Sequence, residues 1–255
     1  MNSYLFRILE NSSIDAANEE LLLLGLEHPF VIEDDSSGEI LIGGSSAKDF
    51  AKEPLQHSIL AEVTTVSWED QWALFAEDFR EGVAHIDLVR FGGSRILELL
   101  PGPGFGDLSH PTTYLMLELM QGRMAGQRVI DIGCGSGILT LAALLLSAAT
   151  ACGVDIDEDA LVHARENAKL NRLSAEFTEV VPLHEAVILM NMIVPEQKVV
   201  MKEQIQGSLW IVSGILAEER SDYLELTKKW GWELVEEKEK GGWLGMVFAL
   251  RKRTG

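Results

Sequence analysis

A chain of 255 residues accommodates one mid-sized catalytic domain and a small accessory domain. Its 47% hydrophobic content supplies a buried core, yet no apolar run reaches the eighteen or so residues of a membrane span. With 40 acidic against 21 basic residues the net charge is −19, a field that repels phosphate backbones and suits a basic protein partner or cationic substrate. Neither direct nucleic-acid binding nor a membrane partner is therefore expected, although acidity can equally serve solubility alone.

The segment Met1–Glu10 carries no signal-peptide pattern, so the expected location is cytoplasmic. Tyr4–Leu9 reads as a strand and Asp15–Gly25 as a helix ending at glycine. Phe30–Glu33 and Glu39–Ile42 read as a hairpin around Asp34-Asp35-Ser36-Ser37-Gly38, and Ala61–Val66 as a further strand. Residues 1–65 are thus expected to form a small α+β domain. Trp68-Glu69-Asp70-Gln71-Trp72 opens a predicted helix to about Phe79, so residues 66–94 read as a helical connector.

The pattern changes at Arg95, where residues 95–255 begin a larger domain. The Gly/Pro-rich loop Pro101–Gly106 leads to a helix starting near Pro111. Arg128–Ile132, Ala151–Asp155, Ala186–Met190 and Leu209–Ser213 are short and continuously apolar, as buried parallel strands are. The helix Ile138–Ala149 between the first two is apolar on nearly every face. This alternation predicts an α/β fold with a doubly wound, mostly parallel sheet.

The turn Gly133-Cys134-Gly135-Ser136-Gly137 follows a strand and opens a helix. Glycines there permit a tight turn and close backbone approach to a ligand. Ile138 stands where a nicotinamide-binding fingerprint places its third glycine. Asp155 ends the next strand, where a carboxylate either accepts both hydrogen bonds of a ribose diol or caps a helix. Asp157 reads better as the cap. Cys134 and Cys152 read as reduced, buried thiols, and the six histidines have no ligand spacing, so no metal is expected.

These residues resemble the class I S-adenosylmethionine-dependent methyltransferases. The ordered landmarks narrow the resemblance: His110-Pro111-Thr112-Thr113, Gly133–Gly137, Asp155-Ile156-Asp157, Glu166-Asn167-Ala168-Lys169-Leu170-Asn171, Asn191 and Ser213-Gly214-Ile215-Leu216. This order is similar to that of the ribosomal protein L-eleven methyltransferase family, over about residues 66–250. The resemblance implies a Rossmann-like domain, S-adenosylmethionine as cofactor, and methyl transfer to lysine or N-terminal amines of a ribosomal protein. Residues 1–65 would be the substrate-recognition domain. It implies cofactor contacts at Thr113, Gly133, Asp155 and Asn191, with Asp131, Gly135 and Phe105 completing the candidate set. Asn191 is the candidate catalytic residue, its side-chain carbonyl orienting the amine; otherwise Thr113 is an ordinary helical threonine and Asn191 a turn residue. Two features depart from the family pattern. Asp107-Leu108-Ser109 follows Gly106 where the family writes Gly-Thr-Gly, and only about twenty residues separate Asn171 from Asn191. The alternatives are methylation of another protein or a small amine, or a non-catalytic binding module.

Overall fold

The computed structural model describes residues 2–9, 11–33, 40–46, 48–65, 72–74, 76, 78–106, 108–202, 205 and 207–250. The chain forms two compact units, Met1–Ser67 and Trp68–Gly255.

In the first unit, β1 (Asn2–Ile8), α1 (Ile14–Leu23), β2 (Glu27–Glu33), β3 (Ile40–Ser46) and β4 (Ser58–Thr65) make an antiparallel sheet of order β2-β3-β1-β4 with one helix. Ser13 starts α1 by accepting a hydrogen bond from the Ala16 N–H. Gly25, at φ +97°, turns the chain after it. Tyr4 and Phe6 alternate inward along β1 and meet Leu21, Leu26, Ile42 and Phe50 in a separate core. Glu33 pairs with Ile40 across the β2–β3 hairpin; the turn residues Asp34–Gly38 lie outside the described residues.

Trp68–Gln71 lie outside the described residues, and 72–74 are helical. Strands β5 (Phe79–Arg80), β6 (Val83–Asp87) and β7 (Ile96–Leu99) then form an antiparallel sheet. Within the stretch 66–94 read as helical, Val83–Asp87 follows a period of two instead: Ala84 and Ile86 are buried while Val83 and His85 are half-buried. Ala84, Ile86, Leu97 and Leu99 join Trp72 in the core of the second unit, so this stretch is part of that unit.

The main sheet contains β8 (Arg128–Ile132), β9 (Thr150–Val154), β10 (Glu176–Thr178), β11 (Ala186–Asn191), β12 (Gly207–Leu216), β13 (Trp232–Lys240) and β14 (Trp243–Leu250). Its order is β10-β9-β8-β11-β12-β14-β13, with the first five strands parallel and β14 antiparallel to both neighbours. The helices are α2 (Pro111–Met120), α3 (Ile138–Leu145), α4 (Glu158–Leu170), α5 (Val194–Val200) and α6 (Arg220–Lys229). Successive strand residues feed opposite cores. Val129 and Leu189 pack with residues of α2 and α3, while Ile130, Ile188 and Met190 pack with Val194 and Tyr223. This two-sided burial explains the continuous apolar strands and the apolar α3, whose Ile138, Leu139, Leu141, Ala142, Ala143 and Leu145 are all buried.

From β8 the chain winds through β9 to β10, then returns to β11 on the other side of β8. The winding reverses there, and in such sheets the crevice at the carboxyl ends of the two diverging strands receives ligands. The β10-to-β11 connection has no helix over residues 179–185, which is how the short span between Asn171 and Asn191 is accommodated. No helix among the described residues is long and apolar enough to cross a membrane.

Candidate active site

The glycine-rich turn leaves β8 with Gly133, Gly135 and Gly137 at φ +72°, +53° and +79°, a region that side chains disfavour. The Gly133 and Cys134 N–H groups donate to the Val154 carbonyl at 2.8 and 3.0 Å, tying the turn to the end of β9. Asp155 lies on the same edge. Its Oδ2 accepts from the Gly135 N–H at 2.9 Å and its Oδ1 from the Asp157 N–H at 3.1 Å. Asp157 caps α4, accepting from the Asp159 N–H at 2.9 Å.

The loop before α2 packs directly on this turn. The Phe105 carbonyl accepts from the Ser136 N–H at 2.9 Å, and the Gly106 carbonyl from the Ser136 hydroxyl at 2.7 Å. A Cβ on Gly135 would stand 2.6 Å from the Phe105 carbonyl oxygen, and one on Gly104 would overlap the Ser136 nitrogen. At Gly135 the close approach that demands glycine is therefore made by the protein's own loop. At Gly133 a Cβ would meet only the flexible Met192 methyl, at 2.5 Å. Asp107 lies outside the described residues. Leu108 is buried at φ +73°; left-handed backbone costs about 1–2 kcal/mol, offset by about 1.5–3 kcal/mol for burying a leucine side chain.

The other side of the loop is held by α4. His163 Nδ1 accepts from the Gly104 N–H at 3.2 Å, while Nε2 lies 2.7 Å from the Leu100 carbonyl. The pair of contacts selects the neutral tautomer with its proton on Nε2, and burial holds the His163 pKa below its ordinary value. Asn167 accepts from the Leu100 N–H at 2.8 Å and donates to the Ser136 carbonyl at 2.9 Å. One turn later Asn171 accepts from the Glu98 N–H at 2.9 Å and donates to the Glu98 carbonyl at 2.5 Å. Sequence reasoning noted these asparagines as landmarks and gave them no role. Their signal was legible, since residues 163, 167 and 171 repeat every four positions on a helix with buried Ala160, Ala164 and Ala168.

The remaining candidates line the same strand ends and the helix that follows the loop. His110 caps α2, accepting from the Thr112 N–H, and its ring lies edge-on to Phe105 at 5.7 Å and Trp243 at 5.0 Å. Thr113 is fully buried and its hydroxyl has no hydrogen-bond partner. Asp131 accepts from the Thr140 hydroxyl at 2.7 Å through Oδ2, while its Oδ1 has no partner. Burial pushes the Asp131 carboxyl up to about 7. Asn191 closes β11, paired in register with Ser213. The fold thus joins Gly135, Asp155 and Phe105 through the turn and sets Gly133 against Met192, the neighbour of Asn191. It does not link Thr113 to these residues by a hydrogen bond. Among the described residues no three His, Cys, Asp or Glu side chains are grouped for a metal ion.

Residues 45–251 match the family described as Ribosomal protein L11 methyltransferase (PrmA). The chain belongs to this family. A Ribosomal protein L11 methyltransferase from Geobacter metallireducens is 36% identical over 165 residues, 61% of this chain and 55% of that protein. One from Carboxydothermus hydrogenoformans is 32% identical over 204 residues, 73% of this chain and 67% of that protein. The chain therefore spans between about half and two thirds of the length of these relatives. The crystal structure of a ribosomal protein L11 methylase from Lactobacillus delbrueckii subsp. bulgaricus shares the fold. Its TM-score is 0.53 at 23% identity, covering 60% of this chain and 84% of that one.

For this member of the L11 methyltransferase family, an adenosyl ligand can be tested against the residues present. Each Asp155 oxygen holds one backbone N–H and retains lone-pair capacity for a hydroxyl. Beside it Ile156 is 93% exposed, and Phe105 on the covering loop is 54% exposed, apolar surface of the kind a flat base covers. The unpartnered Thr113 hydroxyl adds an unused polar group. The residues fit.

Proposed function

We propose that this chain is an S-adenosylmethionine-dependent protein N-methyltransferase acting on lysine or N-terminal amines of ribosomal protein L11. Membership of the family supports the activity. The observation that carries the site is the Asp155 carboxylate hydrogen-bonded to the glycine-rich turn, where the sheet's winding reverses.

S-Adenosylmethionine, when bound, supplies an electrophilic methyl group on a sulfonium. Asp155 accepts the ribose hydroxyls, and Gly133 gives the methionyl portion room once the Met192 methyl swings aside. Thr113 offers its hydroxyl, Asp131 and Gly135 support the turn, and Phe105 covers the site and excludes water. Asn191 accepts a hydrogen bond from the incoming amine through its side-chain carbonyl. A lysine with an ordinary pKa of about 10.4 must shed a proton before it attacks; desolvation beside a cation favours the neutral amine. Alignment is the main demand, since near-attack positioning can supply about 7–11 kcal/mol, and no dedicated general base is assigned. Residues 1–65 hold the protein substrate, and a ribosomal substrate makes the enzyme cytoplasmic.

The test is calorimetric titration with S-adenosylmethionine, then mass spectrometry of L11 incubated with enzyme and cofactor. Micromolar binding with methyl additions on L11 is expected. Cofactor binding without transfer to L11 or other ribosomal proteins favours a binding module, and absence of cofactor binding overturns the proposal.

A further inference from the structure

The carboxyl end of β11 and the neighbouring backbone of β12 are joined through one buried side chain outside the candidate cofactor set. Gln197, on α5, is 0% exposed. Its Nε2 donates to the Met192 carbonyl at 2.6 Å and to the Ser213 carbonyl at 2.9 Å, using both amide hydrogens. Its Oε1 accepts from the Tyr223 hydroxyl of α6. Tyr223 is also buried, and desolvation raises its phenol pKa well above the ordinary range, so it remains a donor.

The two bridged carbonyls are specific in position. Met192 follows Asn191 directly, and Ser213 is the residue paired with Asn191 across the β11–β12 ladder. After these residues the strands diverge, and Gln197 supplies donors to both carbonyls. Gly214 sits at φ +88°, and a Cβ there would overlap the Met192 carbonyl, so the chain is drawn tightly onto the same group. Ser213 is fixed from its other side, its hydroxyl donating to the Leu244 carbonyl at 2.8 Å. Gln197 thus holds the backbone on either side of the ladder pair that includes Asn191.

We propose that Gln197, oriented by Tyr223, is a positioning residue for methyl transfer, fixing the backbone that carries Asn191. The inference rests on the methyltransferase reading above. Its physical basis is that displacement of a reacting group by about 1 Å can cost about 100-fold in rate. A residue that only satisfies buried carbonyls would alter stability without selectively changing turnover.

The experiment compares Gln197→Met, which keeps side-chain length while removing all three hydrogen bonds, with the full-length wild type. Tyr223→Phe is the milder second variant, removing only the bond that orients the amide. Expected for Gln197→Met is a kcat lowered about 10- to 100-fold, with protein-substrate KM within about threefold. Amide hydrogen exchange at Met192 and Ile193 should quicken while that of β8 is unchanged. Tyr223→Phe should give a smaller loss in the same direction, and serves alone if Gln197→Met does not fold. In an Asn191→Ala background Gln197→Met should add no further loss of kcat, because it acts through that residue. Unchanged kcat in a folded variant, or losses that multiply in the double variant, overturns the inference alone. A wild type that binds cofactor but transfers no methyl overturns both the functional reading and this inference.

Discussion

At Asp155 one carboxylate is asked to do two things. It already closes the glycine-rich turn through the Gly135 and Asp157 N–H groups, and the proposed ribose would use its remaining lone pairs. Asp155→Ala should therefore weaken S-adenosylmethionine binding by about 1.5–3 kcal/mol, the range for hydrogen bonds to a charged group. Calorimetry checks it, and an unchanged Kd in a folded variant would remove Asp155 from the site. Asp131 makes a different prediction, because burial raises its carboxyl from the ordinary 3.8 to about 7. Between those values the folded state binds more protons than the unfolded chain. The group's stabilising contribution is therefore fully present below about 3.8 and is lost as pH rises to about 7. Asp131→Asn should flatten the pH dependence of the urea midpoint across that window. A slope equal to that of wild type would show that Asp131 does not titrate there.

On α4, one face works as a strut between strand and loop. His163, Asn167 and Asn171 present side chains at helical spacing to Leu100, Gly104, Ser136 and Glu98. They substitute for the partner strand that the backbone at Glu98 and Leu100 lacks on this side. Asn167→Ala would leave the Leu100 N–H and the Ser136 carbonyl unpaired, at about 1–3 kcal/mol for each buried group. The expected result is a lower urea midpoint and weaker cofactor binding, because the turn and the loop are loosened together. Loss of stability with unchanged cofactor affinity would show that the strut does not support the site. His163 adds an acid sensitivity, since its pKa is lowered by burial. Above about 6.5 it is neutral in both states. As pH falls below that value the unfolded chain gains a proton that the folded chain resists, so stability declines down to the lowered folded pKa. His163→Gln should reduce that acid loss.

Across the whole chain, two units with separate cores carry separate proposed tasks. The glycine-rich turn, Asp155 and Asn191 all lie in the second, whereas the first has its own sheet and helix. Remote contacts to a folded protein substrate can be used to align its reacting amine. Removing residues 1–65 should thus abolish methylation of intact L11 while leaving S-adenosylmethionine binding within a few-fold of wild type. A soluble truncation that methylates intact L11 at the full-length rate would refute the substrate-holding role. Aggregation or loss of cofactor binding would favour a unit that merely covers apolar surface.

The sequence alone determined the features that local chemistry controls. Continuous apolar strands separated by helices specified the doubly wound sheet, because parallel strands buried on both faces cannot tolerate alternation. The Gly133–Gly137 turn and the acid at 155 followed from positive-φ backbone and strand-end position, and their proximity from the sheet order that such a pattern implies. Tertiary structure decided the rest. Val83–Asp87 and Ile96–Leu99 became paired strands because the second unit's core accepts Ala84, Ile86, Leu97 and Leu99, a partner invisible within a short window. Gly135 owes its lack of a side chain to the Phe105 backbone thirty residues earlier. Gln197 and Tyr223 meet 26 residues apart through the packing of α5 and α6 beside two strand ends. Hydrogen bonds between residues so far apart leave no periodicity to read, since each depends on where the completed sheet places its neighbours.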